Sequence, residues 1–137
     1  MKKLILIIAS IMFVISNINA ANENPIITKS DLILIFNWKA ETEKGIYSGT
    51  SSTLQEAREI MLLASSGELI TGTEITSYYI LKSEANSTNR NYFWEVDTVT
   101  GRARGYSSSL DYAHKMIALV ASGDAIVSKI IISQPAK

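Results

Sequence analysis

The chain of 137 residues contains no cysteine, only two prolines and a single histidine. Without cysteine it forms no disulfide, so its fold has to be stabilised by a hydrophobic core. With one imidazole and no thiolate, the sequence offers no set of ligands for zinc, and it lacks the acidic loop that calcium requires. We therefore predict neither a metal site nor a cofactor.

The chain also lacks an excess of either charge, with 13 basic and 13 acidic residues. Removal of residues 1–20, which contain two lysines and no acid, would leave 11 basic against 13 acidic residues and a net charge of about −2. Proteins that bind nucleic acid gather the phosphates with a basic surface. Nucleic acid is therefore not a predicted partner.

Residues 1–20 have the pattern of a secretory signal peptide. Two lysines precede an apolar run, Leu4–Ile15, and the small residues Ala20 and Ala21 follow a polar stretch. The apolar run is too short to span a bilayer. We predict cleavage after Ala20, export to the periplasm or the medium, and no transmembrane segment in the mature chain. The alternative is an uncleaved membrane anchor.

Two segments fifty-six residues apart carry nearly the same sequence. GTSSTLQEAREIMLLASSGE (Gly49–Glu68) recurs as GYSSSLDYAHKMIALVASGD (Gly105–Asp124). The match continues on both sides without a gap, and its identical pairs include Trp38/Trp94, Thr42/Thr98, Gly45/Gly101, Leu54/Leu110, Ala57/Ala113 and Ser77/Ser133. A gapless match of this length indicates an internal duplication.

Each copy has the pattern of two strands, a helix and a third strand. LILIFNWKA and NYFWEVDTV are rich in β-branched and aromatic residues and predict the first strand, and a turn that ends in glycine leads to a short second one. Thr53 with Glu56, and Ser108 with Asp111, predict capping boxes at the helix starts. The glycines of SSGE and ASGD fall where a left-handed helix end belongs.

A unit of about fifty residues buries too little apolar surface to be stable alone. We therefore predict one α+β domain over residues 31–133, built from two strand–strand–helix–strand repeats (31–82 and 91–133). The repeats are expected to share a six-stranded, mostly antiparallel sheet about a pseudo-twofold axis, with both helices on one face. Two independent lobes are the alternative, and residues 21–30 and 134–137 are expected to be flexible.

The two copies differ in kind on the second strand, which reads IYSGTS in the first copy and RARGYS in the second. Alternate positions share a face, so two guanidiniums and a phenol could bind carboxylate or phosphate and stack on a ring. The predicted ligand-binding or partner-binding residues are Arg102, Arg104, Tyr106, Tyr92 and Tyr78. In the alternative interpretation the arginines pair with Glu95 and Asp97 across a solvated hairpin.

No catalytic residue is predicted. His114 aligns with an arginine of the first copy on a solvated helix position, so we expect a surface histidine rather than a general base. Two carboxylate pairs, Glu41/Glu43 and Glu95/Asp97, lie in or beside the hairpin turns. Two carboxylates that are two residues apart on a strand point to the same face. This spacing occurs in solvent-exposed pairs as well as in the paired carboxylates of glycoside hydrolases, so it does not indicate catalysis. An enzyme with acid–base chemistry is therefore only an alternative.

The glycine, alanine and glycine at Gly49–Ala57–Gly67 and Gly105–Ala113–Gly123 resemble the paired half-repeats of SPOR domains. Those domains are helix-backed antiparallel sheets of the bacterial envelope, built from two related halves. The resemblance covers most of Gly49–Ser133 and implies a sheet surface that binds peptidoglycan glycan strands. This chain departs from it by an extra strand in each repeat, so no binding residue is carried over. The chain is also similar to small exported, virulence-associated envelope proteins of intracellular gram-negative bacteria.

An open sheet face and a long edge strand, expected at Leu69–Lys82, could both accept a second chain. The sequence thus predicts a non-catalytic periplasmic protein that binds a cell-envelope glycan or an envelope protein through the open face. The alternative is an interaction or inhibitor domain that acts by edge-strand pairing or as a homodimer.

Overall fold

The computed structural model describes residues 25–134. The predicted signal peptide, its cleavage site and the end of the predicted tail lie outside these residues. In chain order the elements are β1 (Leu32–Thr42), β2 (Ile46–Ser51), α1 (Leu54–Ala64), β3 (Ile70–Leu81), β4 (Tyr92–Thr98), β5 (Arg102–Ser107), α2 (Leu110–Val120) and β6 (Ile126–Ser133). No helix among residues 25–134 has the length and apolar character needed to cross a membrane.

The predicted α+β fold is confirmed. The six strands form one sheet in the order β2-β1-β3-β5-β4-β6, in which every neighbouring pair is antiparallel except β3 and β5. The helix α1 packs on a cluster around Trp38, and α2 packs on one around Trp94. Ile75 joins the first cluster and Tyr79 the second. These two residues of β3 are four apart and share a face, so both helices lie on the same side of the sheet.

Both helices begin at a hydroxyl residue whose oxygen accepts the backbone N–H three residues on. Thr53 caps α1 and Ser109 caps α2, each with an N···O distance of 3.1 Å. The predicted cap at Ser108 was therefore wrong by one residue. The hydroxyl of Ser108 instead donates to the carboxylate of Glu84, in the segment that links the repeats.

Only one of the two hydrogen bonds of the capping box predicted for α1 is present, the one from the Glu56 backbone N–H to the Thr53 hydroxyl. The Glu56 carboxylate accepts the backbone N–H of Ser52 at 3.0 Å rather than that of the N-cap residue, and the hydrogen bonds from Ser52 lower the pKa of Glu56. The helix ends match the prediction, because Gly67 and Gly123 have positive φ angles of 80° and 91°. Side chains rarely adopt this conformation, so glycine suits both positions.

The joint between the repeats contradicts the predicted pseudo-twofold arrangement. A twofold axis would pair like strands in antiparallel fashion, whereas β3 of the first repeat lies parallel to β5 of the second. The repeats are thus joined head to tail, with the third strand of the first repeat against the second strand of the second repeat. The segment Leu69–Lys82 was predicted to be an edge strand, but β3 is internal, and the two edges are β2 and β6.

The two repeats do not have separate cores. The cluster under α2 contains the 3% exposed Leu81 of β3, and Ile27, Leu32 and Tyr79 from the first half of the chain also pack against it. Ile27 thus makes core contacts although it belongs to the flank predicted to be flexible. The second repeat completes its core with residues of the first.

Candidate functional site

The sheet face opposite the helices carries four of the five residues predicted to bind a ligand or partner. Residues that pair across antiparallel strands share a face, and Tyr106 pairs with Phe93, Arg104 with Glu95, and Arg102 with Asp97. Tyr78 contacts the Tyr106 ring on this same face. We call it the open face, because neither helix covers it.

Tyr92, the fifth predicted residue, points the other way. Tyr92 lies two residues before the fully buried Trp94 on β4, so both side chains point toward the helices. Tyr92 packs against the cluster beneath α2. A side chain on the helix side of the sheet cannot act together with residues on the open face. The structure therefore does not bring Tyr92 to the candidate site.

Three aromatic rings form a cluster on the open face where the two repeats meet. The Tyr106 ring centroid lies 4.9 Å from that of Tyr78 and 5.6 Å from that of Phe93, and the Tyr78 and Phe93 centroids are 6.4 Å apart. The Arg90 guanidinium lies 5.9 Å from the centre of the Tyr106 ring, within the range of a cation–π contact. All four side chains are half-buried.

Burial also affects the chemistry of this cluster. It raises the pKa of the Tyr106 phenol above its ordinary value of 10.0, and the neighbouring Tyr78 adds to the rise. The phenol is therefore neutral at physiological pH and able to donate a hydrogen bond. The cluster presents partly exposed aromatic rings, a phenol and a guanidinium to any molecule that rests on it.

Next to the aromatic cluster, the open face carries ion pairs between β4 and β5. The Arg102 guanidinium donates to the Asp97 carboxylate, with distances of 2.5 Å from Nε to Oδ1 and 3.3 Å from Nη2 to Oδ2. This contact lowers the pKa of Asp97, and a hydrogen bond from Ser128 lowers it further. Arg104 is held less tightly, with its Nε 3.6 Å from Glu95 Oε2. Both arginines thus form ion pairs across the hairpin, as in the alternative interpretation, but only Arg102 also hydrogen-bonds to its partner.

A groove of about 550 Å³ opens beside these arginines, where β3 and β5 are no longer paired. The two strands share only one bridge, at Tyr79 and Gly105. Glu74 and Thr76 of β3 line the groove together with Arg102 and Arg104 of β5. The groove is polar on this side and lies along the boundary between the repeats.

Phe93 of the aromatic cluster and Arg90, which contacts the Tyr106 ring, were missed from the sequence. Phe93 replaces Asn37 of the first copy, which is a change in kind on the same face as the arginines. The comparison of the two copies contained this signal. Arg90 has no equivalent within the matched segments and lies in the link between the repeats, so no pattern indicated it.

Each carboxylate that was considered for acid–base chemistry either forms an ion pair or is exposed to solvent. Glu41 pairs with Lys39, Glu95 and Asp97 pair with the arginines, and Glu43 is exposed in a turn. His114 is exposed on α2. Among residues 25–134, no three side chains of the types His, Cys, Asp or Glu come together as a possible metal site.

The open face can therefore stack on a ring and offer hydrogen-bond donors beside it. Three half-buried aromatic side chains provide the stacking surface, and Arg104 and Arg90 provide cationic donors at its border. No family model, curated protein or solved structure matches this chain.

Proposed function

We propose that the chain is a non-catalytic binding domain of the cell envelope, and that its open sheet face binds glycan. The observation that carries the proposal is the cluster of Tyr78, Phe93 and Tyr106 beside Arg104. Export through a signal peptide, which the sequence predicts, would bring this face to the periplasm. A role in virulence belongs to the same proposal and is suggested by the sequence resemblance alone.

The aromatic cluster suits a sugar better than a flat apolar ligand. A pyranose ring has an apolar C–H face that packs on an aromatic ring, while its hydroxyls point sideways to hydrogen-bond partners. On this face Tyr106 contributes a phenol to the cluster, and Arg104, two residues before it on β5, also lines the polar groove. A glycan strand that lies across the joint would pack its sugar rings on the aromatic side chains and hydrogen-bond to the polar groups beside them.

The arginines would bind the acidic groups of such a glycan unequally. Arg102 already donates twice to Asp97, and a ligand would have to break that pair. Arg104 is at ion-pair distance from Glu95 without a hydrogen bond to it, and it lies beside Tyr106, two residues along β5 on the same face. Peptidoglycan carries carboxylates on its peptide stems, and a guanidinium binds a carboxylate through paired hydrogen bonds. We therefore assign Arg104 the larger role.

Co-sedimentation of residues 21–137 with purified peptidoglycan sacculi tests this proposal. Arg104→Ala is expected to weaken binding by about five- to tenfold, the effect of losing one charge-assisted hydrogen bond at a partly solvated site. Arg102→Ala is expected to weaken it less than twofold, because its guanidinium is committed to Asp97.

Lys39→Ala provides the matched control. It removes one positive charge from the open face of the first repeat, where Lys39 pairs with Glu41 and stands opposite Glu74 of β3. Unchanged binding by Lys39→Ala together with weakened binding by Arg104→Ala would support the site. Equal losses for both variants would indicate a general charge effect. No sedimentation by the unaltered protein would instead favour an envelope protein as the partner.

A further inference from the structure

The groove between β3 and β5 has walls of opposite charge. Glu74 lines it from β3, and Arg102 and Arg104 line it from β5. Its volume of about 550 Å³ lies within the range of small-ligand pockets, about 300–1,000 Å³. A ligand that lies in this groove therefore meets an acidic side chain on one wall and basic side chains on the other.

The Glu74 carboxylate forms no ion pair with any of residues 25–134. Lys39 stands opposite Glu74 on β1, but its ammonium hydrogen-bonds to Glu41. The Thr76 hydroxyl donates to Glu74 Oε1 at 3.1 Å and so orients the carboxylate on the groove wall. A carboxylate that is oriented but not paired with a cation favours a ligand with a cationic donor.

The groove also has free backbone groups along its walls. The one bridge between β3 and β5 in the described part of the chain joins Tyr79 and Gly105. The N–H and C=O groups of a strand point to both of its sides. Those of β3 and β5 that face each other ahead of the bridge therefore have no ladder partner. The amide groups of an extended peptide bind to free strand groups of this kind.

The two opposite charges belong to the joint and not to the repeat itself. The duplication aligns Glu74 with Ile130 and Arg104 with Ser48, so the fold of a single repeat requires neither charge. Within residues 25–134, no ion pair joins Glu74 to either arginine across the groove. The charges thus do not hold the joint closed, which leaves them for a ligand.

We propose that the groove binds a peptide with both an ammonium and a carboxylate, the ammonium at Glu74 and the carboxylate at Arg104. This inference rests on the proposed function and names the part of the polymer that enters the groove. The peptide stems of peptidoglycan contain a diamino acid, whose second ammonium is free where the stem is not cross-linked, and they end in a carboxylate. The sugar rings would lie on the aromatic cluster and the stem in the groove beside it.

N-acetylation of the sacculi tests the role of Glu74, because it converts each free ammonium of the stems into a neutral amide. Residues 21–137 are co-sedimented with untreated and with acetylated sacculi, and the ratio of the two dissociation constants is measured. The unaltered protein is expected to bind acetylated sacculi about three- to fivefold more weakly, the effect of losing one ion pair at an exposed site. Glu74→Gln, which keeps the size of the side chain, is expected to bind both kinds of sacculi equally.

Glu43→Gln provides the matched control. It removes the same charge from an exposed turn outside the groove, so its ratio should equal that of the unaltered protein. Arg104→Ala should bind both kinds of sacculi more weakly and still keep this ratio, because the ammonium would still meet Glu74.

Two results would overturn this inference and leave the proposed function intact. One is equal binding of the unaltered protein to untreated and acetylated sacculi. The other is a loss on acetylation that Glu74→Gln shares, which would indicate a general charge effect. Absence of binding to untreated sacculi would instead overturn the proposed function, and this inference with it.

Discussion

Replacing Gly105 with alanine is expected to lower the free energy of unfolding by about 3 kcal/mol or more, since inserting atoms into a filled core forces backbone shifts. An ideal Cβ at Gly105 would lie 2.3 Å from the carbonyl oxygen of Tyr79 and 2.5 Å from a ring carbon of Trp94. The carbonyl is part of β3 and Trp94 is fully buried, so neither can move aside cheaply. Chemical denaturation followed by circular dichroism measures the loss.

The duplication supplies the matched control, Gly49→Ala. A Cβ at Gly49 would also meet a tryptophan, 2.6 Å from a ring carbon of Trp38, but no backbone atom is among its three nearest neighbours. The strand β2 is an edge and can shift, so we expect a smaller loss of about 1–2 kcal/mol. Gly101→Ala, where a Cβ meets nothing within 4 Å, should be nearly neutral. Equal losses at Gly105 and Gly49 would contradict a tight joint between β3 and β5.

Replacing Leu81 with alanine is expected to cost about 3–5 kcal/mol, the range for a fully buried leucine whose cavity cannot collapse. Leu81 belongs to the first repeat, yet it packs in the cluster beneath α2 of the second. The change should therefore alter the fluorescence of Trp94, which lies in that cluster, and leave that of Trp38 largely unchanged. Equilibrium unfolding and the spectra of single-tryptophan variants measure both effects.

Leu63→Ala serves as the comparison for Leu81. Leu63 is a leucine of α1 with 75% of its surface exposed, so its truncation should change the free energy of unfolding by less than about 0.5 kcal/mol. A cost for Leu81→Ala as small as this would mean that the second repeat does not depend on the first for its core.

Much of the fold could be predicted because the chain repeats its own local signals. The strand composition, the hydroxyl caps and the glycines after each helix occur twice, and each copy supports the interpretation of the other. The alignment even held the correct cap of α2, since Thr53 corresponds to Ser109 rather than to Ser108. Alternation along β4 likewise places Tyr92 with Trp94 and Val96, on the buried side.

The joint between the repeats could not be predicted from the same signals. Periodicity specifies which face of a strand is buried, but it does not say which edge meets which. A twofold and a head-to-tail arrangement bury the same residues on the same face. The glycines do not indicate the joint either, because both copies have glycine at this position, although only at Gly105 is a backbone atom among the three nearest neighbours of an added Cβ. The aromatic cluster spans this joint, so its membership depends on a pairing that the sequence leaves open.

The central claim is that the two repeats form one cooperative body across the parallel joint. Trp38 and Trp94 report on the two halves, so the variants Trp94→Phe and Trp38→Phe each retain one local probe. Urea unfolding is then followed in each variant by tryptophan fluorescence and by far-ultraviolet circular dichroism. The account predicts that the two signals coincide within each variant. A fluorescence transition clearly separated from the circular dichroism transition, in either variant, would contradict it.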